Sequence, residues 1–276
     1  YALREEGMNA WCYTGGYHIP LCTFTGSVLK DIVHIEPIIG VGELAISDHR
    51  SSQPTFAELA RIVGHAHVAG MMTGKAGIVH FHLGDGDRGL DLIEQLLQKT
   101  ELPSRTLNPT HCNRRKGLFD QACELTKQGV SIDVTAFPPL GSDDEYSAVE
   151  AFKIFHGKNL DQSRLTISSD GGGCLPYFNS QGELLHLDYG RCELLSATMK
   201  ALLDDGLAIN EVLPAFTSNP AKLLRLQQKG NIKVGHDADL VILDDDNSIE
   251  SVMVLGQWHQ KNKQTIKRGS FESINN

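Results

Sequence analysis

The sequence predicts a TIM-type (β/α)8 barrel lacking its first two strands, with part of a small β-sandwich after it. Two observations point to the barrel. Short apolar, β-branched runs recur with helical stretches between them, and no Gly-x-Gly-x-x-Gly follows a run to favour an open doubly wound sheet. A third marks the appendage, since from Lys229 the text turns to short strands separated by tight turns.

Taken in order, residues 1–7 read as the last turns of a helix closed by Gly7, so the chain opens mid-fold on Tyr1 and is expected to be N-terminally truncated. Strands are predicted at 9–14, 38–46, 77–82, 105–111, 130–137 and 165–169. Between them, residues 55–71, 89–99, 117–128 and 146–155 carry apolar residues at the three- and four-residue spacing of core-facing helices. A longer excursion at 171–190 precedes a strongly periodic helix at 192–203 and a second helical unit at 210–226. The expected division is a barrel at 1–228 and the C-terminal part of a β-sandwich at 229–276.

Composition narrows the partners. The 276 residues carry a formal net charge of −9, with 34 acidic against 25 basic residues and no basic cluster, which argues against nucleic acid or an anionic membrane and for a small molecule. Cys12, Cys22, Cys112, Cys123, Cys174 and Cys192 are scattered, without a CxxC pair, and read as reduced thiols of a cytoplasmic protein. No stretch approaches the roughly 20 apolar residues of a spanning helix.

Barrel enzymes place their chemistry where strands end. Four polar residues stand at such ends: Glu43, His82 in Val-His-Phe-His-Leu-Gly-Asp, His111 in Pro-Thr-His-Cys-Asn-Arg, and Asp170 in Ile-Ser-Ser-Asp-Gly-Gly-Gly. Two imidazoles and two carboxylates converging at one barrel mouth suit zinc, which accepts neutral His nitrogen and carboxylate oxygen. Each has a competing structural reading: a hydrogen-bonding core histidine, a glutamate beside a one-residue register shift at Gly42, a helix cap ahead of glycines. Of two His-x-His pairs, His65 and His67 fall in a predicted helix, where such positions point about 200° apart, and are a decoy. His80 and His82 share a strand face, so His80 is either a second ligand or a structural residue inside the barrel.

The text Phe216-Thr-Ser-Asn-Pro-Ala-Lys222, Lys229-Gly-Asn-Ile232 and Gly235-His-Asp-Ala-Asp-Leu-Val241 resembles the closing signature of the amidohydrolase superfamily. Four further segments resemble isoaspartyl dipeptidases: Tyr13-Thr-Gly-Gly-Tyr17-His-Ile-Pro20, Ile46-Ser-Asp-His-Arg50, Phe81-His-Leu-Gly-Asp85 and Thr110-His-Cys-Asn-Arg114. The resemblance implies two zinc ions, held by a His-x-His on the first strand, a bridging carboxylate on the fourth, histidines on the fifth and sixth, and an aspartate on the eighth. Counting back from Asp170 puts His111 on the sixth, His82 on the fifth and Glu43 on the fourth. The His-x-His would then precede Tyr1, and the chain by itself is expected to be inactive and poorly stable.

Glu43 stands where the family commonly has a carboxylated lysine, and supplies the same two oxygens on a shorter arm. The resemblance further implies that Tyr17 hydrogen-bonds the developing oxyanion, that Arg50 and Arg114 hold substrate carboxylates, and that Asp170 manages the proton. Packing, for Tyr17, and structural ion pairing, for the arginines, are the alternatives. Cys174 falls where the family has a substrate-binding serine, and its thiol is a weaker donor. The expected function is zinc-dependent hydrolysis of the β-aspartyl amide bond in dipeptides, by an oligomer of identical subunits. A cyclic-amide hydrolase of the dihydroorotase or hydantoinase kind, and an inactive scaffold, are the competing readings.

Overall fold

Six parallel strands carry the molecule. In the computed structural model, which describes residues 1–137, 144–178, 181 and 183–272, β1 (Cys12–Thr14), β2 (Ile38–Ser47), β3 (Ile78–Leu83) and β4 (Leu107–Thr110) form one parallel sheet in that order, and β5 (Ile132–Thr135) pairs in parallel with β6 (Leu165–Ser168). All six predicted strands are present, somewhat shorter than expected where a turn of 3-10 helix, Ser104–Thr106, replaces the start of the fourth. Between β4 and β5 the ladder is interrupted, consistent with Pro109 having no N–H to offer. Side chains close the gap: Asn108 Nδ2 donates to Ser131 O at 2.9 Å, and Asn113 donates to Thr135 O while accepting from Thr135 N.

Helices make the crossovers that parallel pairing demands. A short α1 (Ala2–Glu5) precedes β1, and α2 (Val28–His34), α3 (Phe56–Thr73), α4 (Asp91–Lys99), α5 (Lys116–Thr126) and α6 (Ala148–Gly157) connect successive strands. Both α3 and α6 begin with a capping box, Thr55 with Glu58 and Ser147 with Glu150, which satisfies otherwise orphaned N–H groups. Val79, Phe81 and Leu83 of β3 join a continuous apolar core with Ile32, Leu59, Val63, Ile93, Phe119, Phe152 and Phe155 from the helices. The alternate residues of the strands are polar, among them His80, His82, Asn108, Thr110, Asp133, Thr135 and Thr166. Strand alternation therefore gives the barrel an apolar outer layer and a polar lining.

Three segments depart from the sequence reading. The seven-residue α2 was not predicted, being two turns long and rich in β-branched residues. The 171–190 excursion contains an antiparallel hairpin, β7 (Cys174–Phe178) and β8 (Leu184–Tyr189). After α7 (Glu193–Asp204), the predicted single helical unit is broken into α8 (Ile209–Val212), a 3-10 turn at Leu213–Phe216 and α9 (Ser218–Leu223), with Pro214 and Pro220 withholding N–H groups from a continuous helix. The chain ends in an antiparallel sheet of β9 (Leu240–Leu243), β10 (Ile249–Val254), β11 (Gln257–Lys261) and β12 (Gln264–Thr265). Among the described residues, no helix is long and apolar enough to cross a membrane.

The Asn219 side chain, 5 % exposed, donates to Gln162 O and Leu165 O, both at 2.8 Å, and so ties α9 to the entry of β6. Asn219→Ala strands two carbonyls and should cost about 2 kcal/mol, read as a lower urea midpoint with unchanged slope; an unmoved midpoint would contradict this anchoring role.

Candidate metal and substrate site

Glu43 owes its position to a bulge. Val41 pairs with Val79 and Leu44 with Phe81, so β2 spends three steps where β3 spends two. The extra residue returns Leu44 to the apolar face and leaves Glu43 on the polar face with His80 and His82. Gly42 permits this, because a Cβ there would lie 2.9 Å from both His80 Cβ and Tyr13 Cδ2. The Glu43 carboxylate faces His82 Nδ1 at 3.2 Å and His111 Nε2 at 3.6 Å. His111 follows β4 in a left-handed conformation, φ 60°, and its Nδ1 lies 2.8 Å from Thr135 Oγ1.

These three side chains fit a divalent cation. One ligand atom from each lies within 4.8 Å of the others, the span of ligands around a zinc ion bonded at about 2.0–2.2 Å. Burial pushes the His111 imidazole down to about 3, so the ring is neutral at pH 7 and has a lone pair to give. With Nδ1–H given to Thr135, that lone pair sits on Nε2, which is buried and has no hydrogen-bond partner among the described residues. Glu43 turns toward both rings a carboxylate whose carboxyl lies below the usual range, against the opposing effect of burial. Two electron-pair donors thus face each other across a gap too long for a hydrogen bond, and a cation would satisfy both.

Tyr17 lies in the loop after β1. That loop is pinned by the buried Asp31, whose carboxylate accepts from Thr14 Oγ1, from Thr25 N and Oγ1, and from Phe24 N. Ala45 N donates to Tyr17 O at 3.1 Å, bringing the ring against His82 at a centroid separation of 4.7 Å. The Tyr17 hydroxyl donates to Asp48 Oδ2 at 2.8 Å, and burial followed by that bond raises the phenol above its usual range. Arg50 grips the same carboxylate with a fork, Nε to Oδ1 at 2.9 Å and Nη2 to Oδ2 at 2.6 Å. Arg50 thus forms an ion pair with Asp48.

The other candidates are distributed as follows. Arg114 stacks on Phe137 at 5.4 Å, and its buried Nε has no hydrogen-bond partner among the described residues. Asp170 follows β6 with φ 48°, in a turn and not at a helix start, within electrostatic reach of Glu43, His82 and Arg114. Burial and the Glu43 charge push its carboxyl up to about 6. Cys174 is exposed at the start of β7. His80 turns Nδ1 to Asn108 Oδ1 at 2.6 Å and stands 3.9 Å from Glu43, beneath the three-residue cluster and not in it. His65 and His67 lie on α3, outside any metal-ligand grouping among the described residues.

Two residues escaped the sequence reading. Asp48 follows β2 with its side chain fully enclosed and joins Tyr17, Arg50 and His82. Asp133, fully buried in β5, accepts from Thr110, Thr166 and Ser168 hydroxyls at 2.6–2.7 Å. A polar position in a β-branched strand was the available signal for Asp133. Asp48 offered only its place inside the Ser-Asp-His-Arg segment.

Carboxylate and imidazole donors converge on the polar face of the parallel strands as a candidate metal site, and the chain belongs to the amidohydrolase family, whose model matches residues 45–259. Within that family it is similar to the β-aspartyl dipeptidase of the thermophilic, keratin-degrading Fervidobacterium islandicum AW-1, solved in complex with a β-Asp-Leu dipeptide. The identity is 44 % and the TM-score 0.92, covering 98 % of this chain and 69 % of that one. A second structure of the dipeptidase from that bacterium gives 42 % identity and a TM-score of 0.87 over the same shares. A dihydropyrimidinase from Brevibacillus agri, at 15 % identity and a TM-score of 0.57 over 91 % of this chain and 70 % of its own, shares the fold. A curated dihydroorotase from Endomicrobium trichonymphae is 40 % identical over 52 residues, 18 % of this chain and 12 % of that protein.

Asp170 yields a signed pH prediction. Its carboxyl is raised from 3.8 to about 6 on folding, so protonated Asp170 favours the metal-free fold below pH 3.8 and that contribution is lost as pH rises through about 6. Asp170→Asn should flatten this part of the stability profile of metal-free protein; an identical profile in urea titrations from pH 4 to 7 would refute the assignment.

Proposed function

We propose that the chain is a metal-dependent β-aspartyl dipeptidase, cleaving the isoaspartyl amide bond of dipeptides with zinc as cofactor. The single observation that carries this is the similarity over 98 % of the chain to a dipeptidase solved with β-Asp-Leu. The convergence of Glu43, His82 and His111 agrees with it.

On this reading Glu43, His82, His111 and Asp170 would hold the metal. Bound zinc supplies a Lewis acid and lowers the pKa of water toward neutrality. The protein does the rest. Asp170 accepts a proton from the attacking water and delivers it to the leaving amine. Tyr17 turns its hydroxyl from Asp48 to the oxygen of the scissile amide, where negative charge develops. Arg50 and Arg114 pair with the two carboxylates of an isoaspartyl dipeptide, and Cys174, four residues past Asp170, lines the entrance.

The protein should contain zinc and hydrolyse β-Asp-Leu. Chelation should abolish turnover and zinc restore it, while Asp170→Asn should remove nearly all activity. Tyr17→Phe should cost roughly a hundred- to a thousandfold in kcat. The short match to a dihydroorotase favours one rival, hydrolysis of a cyclic amide. Metal-dependent turnover of dihydroorotate without turnover of β-Asp-Leu would establish that rival, and metal-free, inactive protein would establish a scaffold.

A further inference from the structure

One carboxylate lies behind three of the groups assigned above, Tyr17, Arg50 and His82. Asp48 Oδ2 accepts from Tyr17 OH at 2.8 Å and Arg50 Nη2 at 2.6 Å, and faces His82 Nε2 at 3.0 Å. Its Oδ1 accepts from Arg50 Nε at 2.9 Å and Arg50 N at 2.7 Å. Five polar contacts converge on a side chain with no exposed surface. The space for it comes from the neighbouring strand, because a Cβ on Gly84 would collide with the Asp48 carboxylate. A carboxylate enclosed this way accepts and does not donate, so each partner must present a hydrogen to it.

That requirement has three geometric consequences. His82 keeps its proton on Nε2 and offers the Nδ1 lone pair to the Glu43 side, where the metal belongs. Arg50 is held by Nε and Nη2, which fixes the plane of its partly exposed guanidinium. Tyr17 is held with its ring against His82 and its hydroxyl on Asp48.

We propose that Asp48 is the positioning residue of this site, fixing with one carboxylate the ligating nitrogen of His82, the Tyr17 hydroxyl and the Arg50 guanidinium. The Tyr17 and Arg50 parts rest on the dipeptidase reading; the His82 part does not.

The test uses the Asp48→Asn protein, which keeps the side-chain volume but turns an NH2 group toward donors. Zinc affinity, measured by chelator competition, should fall ten- to a hundredfold, and the visible spectrum of the cobalt(II)-substituted protein should shift. With β-Asp-Leu, KM should rise as Arg50 loses its orientation and kcat should fall as Tyr17 does. Wild-type zinc affinity, cobalt spectrum, kcat and KM, with only a lower melting temperature, would overturn the proposal and leave Asp48 as a fold element. Histidine ¹⁵N shifts of zinc-loaded wild-type protein give an answer even if the variant does not fold: Nδ1 bound and Nε2 protonated in His82 supports the proposal, and Nε2 bound overturns it. Wild-type protein that binds zinc but leaves β-Asp-Leu intact would sink the dipeptidase reading while the zinc and ¹⁵N measurements still decide the role of Asp48 toward His82.

Discussion

Side-chain alternation along a strand is the constraint on which this site depends, and the bulge in β2 is where the chain breaks it. Val41 and Leu44 both belong to the apolar layer under the helices. With strict alternation from Val41, Glu43 would join that layer and Leu44 would face the histidines. One inserted residue reverses this, and Gly42 tolerates the resulting approach of β2 to His80 and Tyr13. Everything assigned to the metal follows, because His82 and His111 have no carboxylate to converge on unless Glu43 points inward.

A polar barrel lining must be satisfied from within, since a buried carboxylate without donors would be far too costly. The chain spends hydroxyls for this purpose. Thr110, Thr166 and Ser168 surround Asp133, and Thr14 and Thr25 surround Asp31. Both clusters serve the site at one remove. Thr110 precedes His111 and Ser168 lies two residues before Asp170, so the Asp133 network holds the ends of β4 and β6 at a common height, while Asp31 fixes the loop that carries Tyr17. The Asp133 carboxyl is itself raised by burial, with nearby His80 opposing. Such a layer specifies the register of the strands more sharply than interchangeable aliphatic side chains would.

Much of this was legible in the sequence. β-branched runs between periodic helices announced all six parallel strands, and His82, His111 and Asp170 stood out as polar residues at their ends. What escaped notice depends on neighbours distant in sequence. Asp48 matters because residues 17, 50 and 82 all reach it, and a single aspartate after a strand reads the same in any turn. Asp133 reads as the solvent-facing member of an alternating strand until closure of the sheet turns that face inward. The β7–β8 hairpin carries Leu184, Leu185 and Leu187 on exposed positions, so its pattern lacks the apolar and polar alternation that marks a half-buried strand. Residues 209–223 hold enough apolar residues for one helix, and only the two prolines divide them.

The charges at the barrel mouth are unbalanced in a way that bears on selectivity. Asp48 is fully engaged by Arg50, Tyr17 and His82, and contributes little further outward. Two demands remain: the Glu43, His82 and His111 donors call for a cation, and the buried Nε of Arg114 calls for an acceptor. On the proposed dipeptidase reading, a substrate carboxylate beside the scissile amide would give the Arg114 guanidinium its acceptor. An analogue without that carboxylate would bury the guanidinium with its hydrogen-bonding capacity unmet. Sites built around such a group reject the deficient analogue by factors on the order of 10⁴, far more than a missing methylene in an apolar pocket provides. On the dipeptidase reading, discrimination for an acidic dipeptide would follow as much from a group without a partner among the described residues as from the contacts the chain completes.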